Sequence, residues 1–221
     1  MTRFDAVVFD LDGTLCRRTQ DTDAVFAAAF DRAGTAPFGE PDELWGALDG
    51  PPDPDDRVGY LAAGFARLAA QYGRNVDPLA LAEAFVASVD NTQVALTAGA
   101  DDALDAAAAA GATALLTNGP ADRQTTKVDA LGLTERVDAV VYAGDHPRRK
   151  PHAAPFERTL ATLGVPASRA LYVGDSLAYD VAGAHTAGLA AAWLPDDGAD
   201  PAPYDPEFVL DSLADLPEVL A

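Results

Sequence analysis

The stretch Phe4-Asp5-Ala6-Val7-Val8-Phe9-Asp10-Leu11-Asp12-Gly13-Thr14-Leu15 decides how the rest of the chain is read. Val7, Val8 and Phe9 fit a buried β-strand, because β-branched and aromatic side chains pack well in a sheet covered on both faces. The apolar run stops at two carboxylates two residues apart, Asp10 and Asp12, with Gly13 and Thr14 directly behind them. Two acids at the end of a buried strand do nothing for packing, and carboxylates are seldom buried unless paired or bound to metal. In open α/β sheets the C-terminal strand ends are where ligands collect. Gly13 lets the backbone turn sharply and come close to a ligand. Alone, the segment also fits a strand that exits into a polar loop, so the other strand ends have to decide.

Beyond Leu15 the pattern changes twice. Residues 21–91 read as helical, with segments at 21–34, 42–48, 56–72 and 78–89 and an acidic, proline-rich loop at 49–56. From residue 96 onward, strand and helix alternate. Apolar strands at 112–116, 138–142, 170–173 and 189–194 are separated by helices at 101–110, 121–131, 153–163 and 177–187, and a strand at 207–210 and a helix at 212–220 close the chain. Repeated β-α units with uniformly apolar strands predict an α/β fold, a doubly wound parallel sheet covered by helices. The helical block interrupts that sheet between its first and second strands. The expected organisation is an α/β core of residues 1–15 and 96–221 with a small helical cap, residues 16–95, inserted over the sheet's C-terminal edge. Phe26, Phe30, Phe65 and Phe85 fall at helical spacing and read as cap core.

Composition narrows the function classes. Thirty-five acids against 15 bases give 221 residues a formal net charge of −20. That excess argues against nucleic acid as a partner, since phosphate-backbone binding needs a basic footprint. It also predicts self-repulsion relieved by salt, as in a protein from a very salty cytoplasm. No apolar stretch has the length to span a membrane, and no signal-type segment follows Arg3, so a cytoplasmic protein is expected. Cys16 is the single cysteine and reads as a buried thiol. Lys127 and Lys150 are the two lysines, which makes the place of each worth examining.

Four strand ends or the loops after them carry polar groups: Asp10, Asp12 and Thr14; then Thr117 and Asn118; then Asp145, His146, Arg148, Arg149 and Lys150 before Pro151; then Gly174, Asp175 and Ser176, with Asp180 five residues after Asp175. A parallel sheet brings such ends together. Convergent carboxylates without histidine or cysteine make a hard, oxygen-lined site suited to Mg²⁺. A lysine beside them supplies a compact charge for a phosphate, and a carboxylate can attack phosphorus to form an aspartyl-phosphate. His152 reads as the cap of the helix after Pro151, and His185 has no evident partner.

The motifs FDLDGTL at 9–15, LLTNG at 115–119, Lys150-Pro151 and VGDSLAYD at 173–180 resemble, in order and spacing, those of the haloacid dehalogenase superfamily. The likeness is to its phosphoglycolate phosphatase-like members, whose helical cap follows the first motif, and it covers nearly the whole chain. It implies a Mg²⁺-dependent phosphatase acting on a small phosphorylated metabolite. Asp10 would be the nucleophile and Asp12 the general acid/base. The metal would sit on Asp10, the Asp12 backbone carbonyl and Asp175, with Asp180 and Ser176 as supporting or additional metal-site groups. Thr117 and Asn118 would bind the transferring phosphoryl, and Lys150 would stabilise its charge. Arg17, Arg18 and Arg149 are candidates for meeting an acidic substrate or raising the local potential. A phosphosugar mutase shares these motifs. A 2-haloacid dehalogenase typically lacks the second aspartate, and a catalytically silent binding protein is the remaining alternative. Monomer and homodimer are both compatible with the chain.

Overall fold

A computed structural model describes residues 4–50, 56–195 and 199–221. They fall into two compact units, one made of the segment up to Arg18 and that from Val94 onward, the other of Thr19–Gln93.

The first unit is built on β1 (Ala6–Phe9), β4 (Ala112–Thr117), β5 (Ala139–Tyr142), β6 (Ala170–Gly174), β7 (Ala190–Trp193) and β8 (Phe208–Val209). They form one sheet in the order β5-β4-β1-β6-β7-β8, with every pairing parallel. β1 lies at the centre, where Val8 is in register with Ala114 on one side and Tyr172 on the other. Alternation along β1 feeds two cores. Val7 and Phe9 pack with Ala103, Leu104 and Ala107 of α5 (Ala100–Ala110) and Leu216 of α9 (Leu216–Leu220). Ala6 and Val8 join Phe156 and Leu160 of α7 (Ala153–Leu163) and Ala184 of α8 (Ala182–Ala187). Burial on both faces explains why these strands read as continuous apolar runs. Sequence order moves from β1 to β4 on one side and later to β6 on the other. Neighbouring crossovers therefore diverge at the C-terminal end of β1, which is the kind of switch point where such sheets bind ligands.

The second unit contains α1 (Thr22–Arg32), α2 (Pro41–Gly46), α3 (Arg57–Gln71) and α4 (Pro78–Ser88). Phe26, Phe30, Phe65 and Phe85 are buried together, with Phe26 and Phe30 edge to face at 5.0 Å between centroids. They are core residues, as their spacing suggests. Asp56 caps α3 by accepting from the Gly59 N–H at 2.7 Å. The rest of the acidic run from Asp53 lies outside the described residues.

Two local features depart from the sequence expectation. Residues Cys16–Arg18 (β2) and Val94–Leu96 (β3) form a two-stranded antiparallel sheet, with Cys16 opposite Leu96 and Arg18 opposite Val94. A division at 15/16 and 95/96 cuts across this pairing, whereas the compact units change at Arg18/Thr19 and Gln93/Val94. Three-residue strands are too short to show a period of two. The helix expected over 177–187 begins instead as a π turn, Leu177–Val181, before α8. His185, for which the sequence offered no partner, lies 3.1 Å from Glu207 Oε2. His152 does cap α7, accepting from the Ala154 N–H at 3.1 Å.

Candidate active site

Asp10 follows β1 directly, and its N–H donates to Val173 O at 2.9 Å, which continues the sheet ladder one residue past the strand. Its carboxylate meets the Lys150 ammonium at 2.7 Å. Lys150 comes from the loop after β5, and its side chain is 2% exposed. The same ammonium donates to Asp180 Oδ1 at 2.7 Å and to the Tyr172 hydroxyl at 2.8 Å. All three of its hydrogens are thus used, as a buried ammonium requires. Tyr172 in turn donates to Leu116 O at 3.0 Å, which anchors the array to β4.

Asp175 follows β6. Thr14 Oγ1 donates to its Oδ1 at 3.0 Å, and Trp193 Nε1 donates to its backbone carbonyl at 2.8 Å. Gly13 sits beside it with φ +88°, and a Cβ there would fall 2.6 Å from the Asp175 carboxylate, so glycine is required twice over. The π turn brings Asp180 back toward Lys150, and the Ser176 N–H donates to Asp180 Oδ2 at 2.9 Å. Ser176 Oγ accepts from the Tyr179 N–H and so caps the turn.

Among the described residues, Asp10, Asp175 and Asp180 each present a carboxylate oxygen within 4.8 Å of the others. Burial, reinforced by Asp180 and Asp175 and opposed by Lys150, pushes Asp10 up to about 7. Burial and the charge of Asp180 also raise Asp175. Burial works against the Lys150 charge, but Asp10 and Asp180 outweigh it and hold the ammonium above its ordinary range. The cluster carries more negative charge than one lysine balances, and its donors are all hard oxygens. Such a donor set suits a hard divalent cation.

Asp12 stands apart from this cluster. Lys127 Nζ lies 2.5 Å from its Oδ1 and 2.8 Å from its Oδ2, and Gln124 Nε2 donates to Oδ2 at 2.7 Å. Burial raises the Asp12 carboxyl, but Lys127, Gln124 and the charge of Arg18 outweigh it and hold the group below its ordinary value. Its carboxylate is therefore engaged by α6 (Ala121–Ala130). Gln124 was not singled out above, and Lys127 was noted as one of two lysines without a role at the site. The signals for them were the scarcity of lysine and their three-residue spacing on one helix face.

The remaining candidates divide. Thr117 Oγ1 ends β4 and accepts from Gln124 Nε2 at 2.8 Å and from the Gly119 N–H at 3.2 Å. Asn118 exchanges two hydrogen bonds with the Lys150 backbone: Nδ2 donates to Lys150 O at 3.0 Å, and Lys150 N–H donates to Oδ1 at 2.8 Å. Its side chain fixes the lysine loop. Arg17 and Arg18 are exposed on β2. Arg149 donates to Gly144 O within its own loop at 3.2 Å. Cys16 is buried, and burial together with the charge of Asp12 pushes its thiol up to about 12, which leaves it unreactive at neutral pH.

These four strand ends supply an acid cluster, a buried lysine and a separately held aspartate. The family model of the haloacid dehalogenase-like hydrolases matches residues 4–188. The chain belongs to that family. As such a hydrolase it is 35% identical over 194 residues to the phosphoglycolate phosphatase of Cereibacter sphaeroides, covering 83% of this chain and 81% of that protein. It is 32% identical over 196 residues to the ribulose-1,5-bisphosphate 5-phosphatase of Halopiger xanaduensis, covering 83% and 82%. The chain spans under half the length of some other curated relatives it matches, 44% for the N-acylneuraminate-9-phosphatase of Rattus norvegicus. The crystal structure of a predicted phosphoglycolate phosphatase from Haemophilus somnus superposes with a TM-score of 0.76 at 24% identity, covering 100% of both chains. It shares the fold of this haloacid dehalogenase-like hydrolase.

Proposed function

We propose that the protein is a Mg²⁺-dependent phosphomonoester hydrolase acting on a small phosphorylated metabolite through an aspartyl-phosphate. The observation that carries this reading is the division of labour between the two aspartates. Asp10 sits in the acid cluster against Lys150, while Asp12, two residues on, is kept out of it by Lys127.

The chain's own residues suffice for each bond change. An Asp10 carboxylate oxygen attacks phosphorus, the ester P–O bond breaks, and the departing alkoxide takes a proton that the ester brings as its monoanion and that Asp12, ionised in the resting site, relays. Water then attacks phosphorus, Asp12 takes the water's proton, and the Asp10 oxygen leaves with its electron pair to regenerate the carboxylate and free phosphate. Lys150 stabilises charge on Asp10 and the phosphoryl oxygens, and Thr117 with the Asn118 backbone N–H holds the phosphoryl group. Asp10, Asp175, Asp180 and the Asp12 carbonyl fit Mg²⁺, which when bound supplies the positive charge that lets an anionic nucleophile approach an anionic ester. The mammalian, archaeal and bacterial phosphatases named above support this substrate class.

A panel of phosphate esters assayed with Mg²⁺ tests the reading. Released phosphate is expected, with activity falling about 100-fold or more in EDTA and returning with Mg²⁺. Isomerised sugar phosphate in place of free phosphate points to a mutase, and turnover indifferent to EDTA removes the metal. Metal binding also has a thermal signature. Asp10 and Asp175 hold their protons above the ordinary carboxyl value of 3.8, so the metal-free native state binds more protons than the unfolded chain. Its stability therefore falls as pH rises from about 4 to about 7. Mg²⁺ should raise Tm more at pH 8 than at pH 5, and an equal rise at both would contradict the assigned ligands.

The charge of −20 points to a halophilic setting. We expect Tm to rise by about 10 °C between 0.1 and 2 M KCl as self-repulsion is screened. A protein most stable in dilute buffer counts against it.

A further inference from the structure

Lys127 and Gln124 take no part in the scheme above, yet both are buried and both reach Asp12. The Lys127 side chain is 2% exposed, and its ammonium spans both oxygens of the carboxylate. Gln124 adds a third bond and, through the same amide nitrogen, donates to Thr117 Oγ1. Both hydrogens of that nitrogen are therefore used, and one side chain links the acid/base aspartate to the phosphoryl-site threonine. The orientation of the amide follows from charge, since an ionised carboxylate only accepts and the NH₂ group must face it. Gly119 belongs to the same construction. A Cβ there would lie 2.4 Å from Gln124 Nε2 and would push the amide off Thr117.

A carboxylate that moves protons has to present one oxygen within hydrogen-bond reach of the reacting oxygen. Three hydrogen bonds from Lys127 and Gln124, with a long one from Cys16 Sγ to Oδ1 at 3.9 Å, span both Asp12 oxygens and remove rotation about its terminal torsion. The Asp12 side chain is still 46% exposed, which leaves the carboxylate open to an incoming group on its solvent side. We propose that Lys127 and Gln124 are positioning residues that aim the Asp12 carboxylate at the ester oxygen, an inference that rests on the phosphatase reading above. A merely structural role, neutralising a buried lysine, makes a different prediction about leaving groups.

The test is the single-turnover rate of alcohol release, measured with Mg²⁺ on p-nitrophenyl phosphate and on an alkyl phosphomonoester. An alkoxide needs the Asp12 proton to depart, whereas p-nitrophenolate does not. With the alkyl ester, Lys127→Met should lower the rate by about 100-fold and Gln124→Leu by about tenfold. The loss on p-nitrophenyl phosphate should be smaller by a factor of about ten for Lys127→Met. In an Asp12→Asn background, Lys127→Met should cost nothing further, because it acts through a group already removed. Equal losses on the two esters, or an undiminished loss in the Asp12→Asn background, overturn the proposal. If Lys127→Met does not fold, Gln124→Leu carries both comparisons. A wild-type chain that releases neither alcohol overturns the phosphatase reading itself, and the positioning role with it.

Discussion

Asp10→Asn is expected to abolish phosphomonoester turnover, by about 10⁴-fold or more, and to leave the fold in place. The amide keeps the shape of the carboxylate, and its oxygen still accepts from Lys150 across a contact of 2.7 Å in the parent. It has no anionic oxygen to form the bond to phosphorus, and the cluster with Asp175 and Asp180 loses one of its charges. Stability changes little because two effects oppose each other. Burial disfavours the Asp10 charge, so a neutral group relieves that cost, while the attraction of Lys150 is lost. Thermal unfolding should stay within about 5 °C of the parent. Retained turnover at the parent rate rules out Asp10 as nucleophile. Lost turnover together with lost structure makes the assay uninformative about chemistry, which is why the melting curve belongs in the same experiment.

Lys150→Met is expected to act on both chemistry and stability. Its ammonium is the shared partner of Asp10, Asp180 and Tyr172, and it is almost wholly withdrawn from water. Removing one member of a buried ion pair leaves the other uncompensated, at about 3–5 kcal/mol. Here two carboxylates are left, one of them Asp180 with 1% of its side chain exposed. The metal-free variant should unfold at a visibly lower denaturant concentration, and Lys150→Met with Asp180→Asn should recover part of the loss. Turnover should fall by about 10³-fold even where the variant is folded, since the charge that balances Asp10 and the phosphoryl oxygens is gone. A variant with the parent's stability and rate would show that Lys150 is a spectator.

Asp10, Asp175 and Lys150 were legible because each stands just past an apolar strand or in the loop after one, and a parallel sheet has to gather those positions. Asp180 was legible as a supporting acid. Its place in the three-carboxylate cluster depends on the π turn at Leu177–Val181, which an apolar pattern read as ordinary helix does not reveal. Asn118 was legible as a polar residue after β4. That its side chain holds the Lys150 backbone depends on a contact 32 residues away.

The sequence by itself determined the α/β alternation, the placement of the helical block after the first strand, and the identity of the acids at the strand ends. These are written in contiguous residues, through hydrophobic periodicity and through polar types that break it. Only the tertiary structure decided how the charges are shared. Lys150 bridges Asp10 and Asp180 across 140 and 30 residues, and Lys127 takes Asp12 across 115. The physical reason is that a buried charge selects its partner by proximity and by exclusion of water, and both are properties of the packed chain. Two aspartates separated by one leucine thus receive different environments, one in the acid cluster and one on the helix that holds Lys127.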